Sequence, residues 1–220
     1  MSPDTTIASC KTSCLEIAVR SQPQLAQAWE DLGDSYQQRF ENIRNLDLLN
    51  NAIVVYRHTL ELWSKDGSHL TCMYHLANAV QNRFEKTGSL ADLEEAISMF
   101  RELLFLHPAP HPNRSISLVS LAYSLRDRFR WTGSVTDLEE AILILRESLS
   151  LCPAPHPNRL SSLHSLASVL DDRFRNTDSM TDLEEAISLF RDVPFLIHIV
   201  LYHSTTLQLH LSIVLKRQAQ

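Results

Sequence analysis

Glycine is scarce in this chain. Its four residues, Gly33, Gly67, Gly88 and Gly133, precede neither Lys-Ser nor Lys-Thr, so no phosphate-cradling loop of that type is available. Basic clusters are lacking as well. Lys and Arg, 20 against 26 Asp and Glu, are dispersed, and a net charge of -6 with a pI near 5.9 offers no field for a phosphate backbone. Nucleic acid is therefore excluded as an expected partner. The four cysteines, Cys10, Cys14, Cys72 and Cys152, have neither zinc-ligand spacing nor the flanks of a catalytic thiol. They read as free thiols of a reducing compartment, which makes the expected location cytoplasmic. Residues 1–11 lack the basic start and apolar run of a secretory signal. No metal, cofactor or catalytic constellation is expected.

What the chain does have is repetition. Asp-Leu-Glu-Glu-Ala-Ile begins at Asp92, Asp137 and Asp182, two intervals of 45 residues. Pro-Ala-Pro-His-Pro-Asn-Arg recurs at Pro108 to Arg114 and Pro153 to Arg159, so whole supersecondary units are copied. Within a unit, Leu118, Leu121, Ala122, Leu125 and Phe129 fall on one helical stripe, predicting a helix A. After Trp131-Thr-Gly-Ser-Val, Thr136 before Asp137-Leu-Glu139 reads as a capping box that opens a helix B. Its stripe is Leu138, Ala141, Ile142, Leu145 and Leu149, and Pro153 stops it. Ala122, Ala141, Ala167 and Ala186 are expected at helix crossings.

Two arginine series accompany the repeat: Arg39, Arg83, Arg128 and Arg173 at the end of helix A, and Arg57, Arg101, Arg146 and Arg191 in helix B. Pairing with carboxylates such as Glu94, Glu139 or Glu184 is the expected role. The histidines of His107-Pro-Ala-Pro-His111 and His156-Pro read as turn residues rather than metal ligands.

Trp29-x-x-Leu32-Gly33-x-x-Tyr36, together with Ala96, Phe100 and Pro108 at matching spacing, resembles the signature of tetratricopeptide repeats. The resemblance implies an all-α, right-handed solenoid of helical hairpins, with units lengthened from about 34 residues to 45. Such long units look like arrays of mushroom-forming fungi that often precede a caspase-like CHAT domain, although no CHAT domain fits this sequence. The expected organisation is one array: a half repeat at about 10–22, repeats at 23–66, 67–110, 111–155 and 156–200, the last with a degenerate second helix, and a terminal half repeat at 201–220.

The resemblance places a peptide groove on helix A positions between the core ones. These are Gln27, Glu30, Asp34, Gln37 and Gln38 in the first unit and Tyr74, Asn78, Gln81 and Asn82 in the second. Tyr123, Arg126 and Asp127 follow in the third, and His164, Ser168, Asp171 and Asp172 in the fourth. The family's carboxylate clamp uses Lys and Asn where this chain has Glu30 with Asp34, or Tyr74 with Asn78, so that clamp is absent. The expected function is a non-catalytic scaffold binding a polar or basic protein or peptide segment. Its acidic end is expected at Asp171 and Asp172. A regulatory fragment of a larger CHAT-protease or NTPase-type protein is the alternative, and a tail-anchored adaptor through residues 193–215 is a second. That segment lacks Asp, Glu, Lys and Arg, but His198, His203, Gln208 and His210 interrupt it, so a membrane span is not expected. Self-association through the apolar C-terminal end is expected.

Overall fold

The computed structural model describes residues 24–62 and 69–191. They form helices α1 (24–43), α2 (Leu46–Leu62), α3 (His69–Thr87), α4 (Leu90–Leu106), α5 (Arg114–Thr132), α6 (Val135–Leu151), α7 (Arg159–Thr177) and α8 (Met180–Arg191). Among the described residues there is no strand, and the fold is all-α. Odd-numbered helices are the A helices of successive hairpins and even-numbered ones the B helices. The chain divides into two compact units, Met1–Met99 and Phe100–Gln220, with the division inside α4. The predicted half repeats at 10–22 and 201–220, the end of the fourth repeat and the 193–215 segment lie outside the described residues.

Each hairpin turns in the same way. At the end of helix A a residue in the left-handed region returns its N–H to the carbonyl of a phenylalanine four positions earlier, which satisfies an otherwise orphaned helix-end acceptor. The pairs are Arg44 to Phe40, Gly88 to Phe84, Gly133 to Phe129 and Asp178 to Phe174, at 2.6 to 2.7 Å. Gly88 and Gly133 take φ of 70 and 75°, where glycine meets no Cβ penalty. Arg44 and Asp178 hold φ of 59 and 54° without that freedom.

The core follows the predicted stripes. Leu118, Leu121, Ala122 and Leu125 of α5 and Leu138, Ala141, Ile142 and Leu145 of α6 are all at most 3% exposed. Ala122, Ala141, Ala167 and Ala186 are fully buried. The predicted capping box at Thr136 is not formed. α6 begins at Val135 with Ser134 as its N-cap, and no side chain caps it there. Asp137, expected to serve the helix end, is instead taken by Arg128, whose Nε and Nη2 donate to its two carboxylate oxygens at 2.9 and 2.7 Å.

That pairing repeats as Arg83 with Asp92 and Arg173 with Asp182, tying the last turn of helix A to the first turn of helix B. These hydrogen bonds are the largest influence raising the Arg83 and Arg173 pKa values. The second arginine series links successive B helices: Arg57 to Glu95, Arg101 to Glu140 and Arg146 to Glu185. Six of these arginines are thus paired, Arg83, Arg128 and Arg173 with Asp92, Asp137 and Asp182, and Arg57, Arg101 and Arg146 with the second glutamate of each motif. An arginine one turn from the end of helix A reaches the B-helix position nearest the turn, which is the aspartate.

The Pro-Ala-Pro-His-Pro-Asn-Arg linker closes the end of one helix with the start of the next. Arg114 donates through Nη1 to the carbonyls of Leu104 and His107 at 2.7 and 2.8 Å and through Nε to Glu147, and Arg159 donates to the Cys152 carbonyl. His111 and His156 act inside the turn, each Nδ1 accepting the N–H of the asparagine two positions later. His107 stacks on His111 with ring centroids 3.9 Å apart. Burial, then the neighbouring His111 and Arg114 charges, lowers the His107 pKa and keeps its imidazole neutral.

Candidate functional site

In the first compact unit, α1, α2 and α3 enclose a cavity of about 470 Å³. Its lining is Asp34, Gln37, Gln38 and Glu41 from α1, Tyr56 from α2, and Tyr74, His75, Asn78 and Asn82 from α3. The volume lies within the range of small-ligand pockets, about 300 to 1,000 Å³. Neither Lys nor Arg lines it. The spacing explains the membership: Tyr74, Asn78 and Asn82 recur every four residues on α3, as do Asp34, Gln38 and near them Glu41 on α1, which places each set on one helical face.

The floor is an aromatic and carboxylate cluster. Tyr56 is fully buried and its hydroxyl donates to Asp34 Oδ1 at 2.7 Å. His75 Nδ1 lies 2.9 Å from the same oxygen and 3.8 Å from Glu30 Oε1. The His75 ring sits between those of Tyr56 and Tyr74, with centroids 5.8 and 6.1 Å away. Burial, and then the hydrogen bond to Asp34, pushes the Tyr56 hydroxyl well above its ordinary range, so it stays a donor. Cys72 also borders this cluster. Burial first, then the charges of Glu30 and Asp34, raises its thiol to about 12, so the nearby histidine meets no thiolate. The arrangement offers hydrogen-bond acceptors and aromatic faces without a nucleophile.

Asp34, Gln37, Gln38, Tyr74, Asn78 and Asn82, six of the sequence-predicted groove positions, are brought together in this cavity. Glu30 lies beneath it at 5% exposure, and Gln81, also 5% exposed, points into the core. Three contributors escaped the sequence reading: Glu41, Tyr56 and His75. For two of them the signal was departure from the copies, since Tyr56 stands where the frame has Phe100 and Leu145, and His75 where it has Ser120 and Ser165. Gly33 is part of the same departure. A Cβ at Gly33 would lie 2.5 Å from Tyr56 Cε1, and the later copies carry Ala77, Ala122 and Ala167 there.

In the second unit the corresponding face joins α5 and α7 through ion pairs. Arg126 Nε donates to Asp172 Oδ2 at 2.5 Å, Arg130 reaches both oxygens of Asp172, and Arg175 pairs with Asp171 at 2.8 Å. The expectation of an exposed acidic end at Asp171 and Asp172 is corrected here: they are 5% and 9% exposed and engaged by three arginines. Burial is the main cause, ahead of the opposing Arg175, of the raised Asp171 pKa. Sequence spacing could not show this, because it gives the face of a helix but not the side chains of the next one. Tyr123 is 42% exposed on this face, with Asp127, His164 and Ser168 partly exposed beside it.

Among the described residues no group of three or more His, Cys, Asp or Glu is placed to hold a metal ion, and no helix is long and apolar enough to cross a membrane. A family model described as tetratricopeptide repeat matches residues 69–109, 116–158 and 159–193. A point variant of a Podosopora anserina protein described as a kinesin light chain with nearly identical TPR-like repeats is structurally similar. Its TM-score is 0.54 at 19% identity, covering 79% of this chain and 77% of that one. A second structure of that Podosopora anserina protein gives a TM-score of 0.48 at 18% identity, covering 83% and 90%. No curated protein matches the chain.

Proposed function

The chain belongs to the tetratricopeptide-repeat family, whose repeats generally mediate protein–protein interaction and are typically non-catalytic, and from that premise we propose a scaffold that holds a polar or basic protein segment on its A helices. One observation carries the reading: the cavity on α1 and α3 presents two surface carboxylates, four side-chain amides and the faces of Tyr74 and His75, with no cation among its lining residues. A segment rich in hydrogen-bond donors suits such a wall, and aromatic faces add contact at little entropic cost. Within the second unit, Asp127, His164, Ser168 and Tyr123 are the proposed contact residues. Asp172 supports it by ordering Arg126 and Arg130, and Asp171 by ordering Arg175, rather than by direct contact.

Affinity capture with the full chain, followed by mapping of captured proteins on overlapping peptides, tests this. Bound peptides should be enriched in polar and basic residues, and Asn78→Ala with Glu41→Gln should reduce their capture. Capture unaffected by changes on α1, α3, α5 and α7 refutes the assignment of the binding face.

A further inference from the structure

We propose that the α1–α3 cavity is a subsite for one guanidinium group, carried as an arginine side chain of the bound segment. The proposal rests on the reading of the A helices as a segment-binding face and names the chemistry recognised there. The first observation is the acceptor set. Asp34 and Glu41 supply carboxylates at the rim, and Asp34 remains about half-exposed although Tyr56 and His75 both contact its Oδ1. Asn78 donates its Nδ2 to the Tyr74 carbonyl at 2.7 Å, which leaves its oxygen as the end to offer a ligand. The second observation is independent of charge. Gln37 is a lining residue, and its Oε1 is buried and meets no hydrogen-bond donor of the protein. A buried acceptor left without a donor is destabilising, and a donor bound here would relieve it.

The third observation is shape. Acceptors contributed by two helices, with the Tyr74 ring among the lining residues, match a flat ion with five N–H donors that also stacks on aromatic rings. An ammonium has three donors on one point and holds its water more strongly. Among the described residues no arginine or lysine lines the place. Among arginines of the first unit, Arg57 is held by Glu95 and Arg83 by Asp92.

The test is a nuclear magnetic resonance titration of the full chain, which gives affinity and location together. The probes are acetyl-Gly-Ser-Arg-Ser-Gly-amide, the same peptide with lysine or with citrulline in place of arginine, and methylguanidinium alone. The arginine peptide should move the amide signals of Gln37, Tyr74 and Asn78, with a Kd at least tenfold below that of the citrulline peptide and several-fold below that of the lysine peptide. It should also bind at least tenfold more tightly than methylguanidinium. Asp34→Asn should weaken it, and because Asp34 also anchors Tyr56, Glu41→Gln and Asn78→Ala provide the decisive variants, each raising Kd at least threefold with helicity unchanged. Equal affinity for arginine and citrulline, or for arginine and lysine, overturns the guanidinium subsite while segment binding on the A helices stands. Equal affinity for methylguanidinium overturns the chain-borne ligand. If no peptide moves any signal of α1, α3, α5 or α7, the subsite and the binding face fall together.

Discussion

Replacing Gly33 by alanine sets two well-characterised effects against each other. Helix propensity alone favours the change, since alanine in a helix interior is better than glycine by about 1 kcal/mol. The packing opposes it. The new Cβ would stand 2.5, 2.7 and 3.0 Å from Cε1, Cδ1 and Cζ of Tyr56, inside van der Waals contact for each. The ring is fully buried and its hydroxyl is tied to Asp34, so it has little freedom to move aside. Overpacking of this kind costs about 1 to 3 kcal/mol, and its centre exceeds the propensity gain, leaving Gly33→Ala destabilising by about 1 kcal/mol. For a chain of this size the thermal midpoint should fall by ~2 to 4 °C. The cause is isolated by Tyr56→Leu, the residue type that occupies the frame at Leu145. With the ring gone, Gly33→Ala should stabilise by up to about 1 kcal/mol, so the coupling between the two sites is about 2 kcal/mol. Urea unfolding followed by circular dichroism on the four proteins measures it. A raised midpoint for Gly33→Ala alone, or a cycle additive to within about 0.5 kcal/mol, refutes the argument.

Ala141→Leu places three more carbons in a fully buried helix crossing and should cost roughly 1 to 3 kcal/mol; an unchanged thermal midpoint would show that α5 and α6 do not close there. Arg44→Gly should stabilise by about 0.5 to 1 kcal/mol, because a side chain at φ 59° carries a strain of about 1 to 2 kcal/mol that the greater freedom of unfolded glycine offsets only in part. A lower urea midpoint would contradict it. Asp171 has a folded pKa raised above its unfolded value, so the folded state binds the proton more tightly; its contribution is greatest below about pH 4 and is lost as pH rises through the folded value. Asp171→Asn should accordingly gain stability relative to the parent as pH rises through that window, and a difference that stays flat or declines across the same urea titrations removes the assigned desolvation.

The candidate site was only half legible in the sequence. Asp34, Gln37, Tyr74 and Asn78 could be chosen because helical periodicity fixes which side chains share a face. The same rule selected Glu30, Gln81, Asp171 and Asp172, which the structure buries, because periodicity does not say how closely the neighbouring helix approaches. Tyr56 entered the cavity from a core position of helix B, where reading one helix face at a time could not find it.

The sequence by itself determined the repeat and its grammar. Identical blocks 45 residues apart require identical local structures, since backbone capping, apolar stripes and proline stops act within a few residues. Leu118 to Leu125, Ala141 and the turn at Gly133 could therefore be assigned before any packing was known. Tertiary structure alone decided the pairing and the pocket. Arg128 chose Asp137 over Glu139 because the hairpin brings the end of one helix against the start of the next, and Asp172 gathered Arg126 and Arg130 because α5 lies beside α7. Such choices depend on distances of a few ångströms between side chains more than 40 residues apart, or across a turn whose angle is set by packing, and one-dimensional spacing does not contain them.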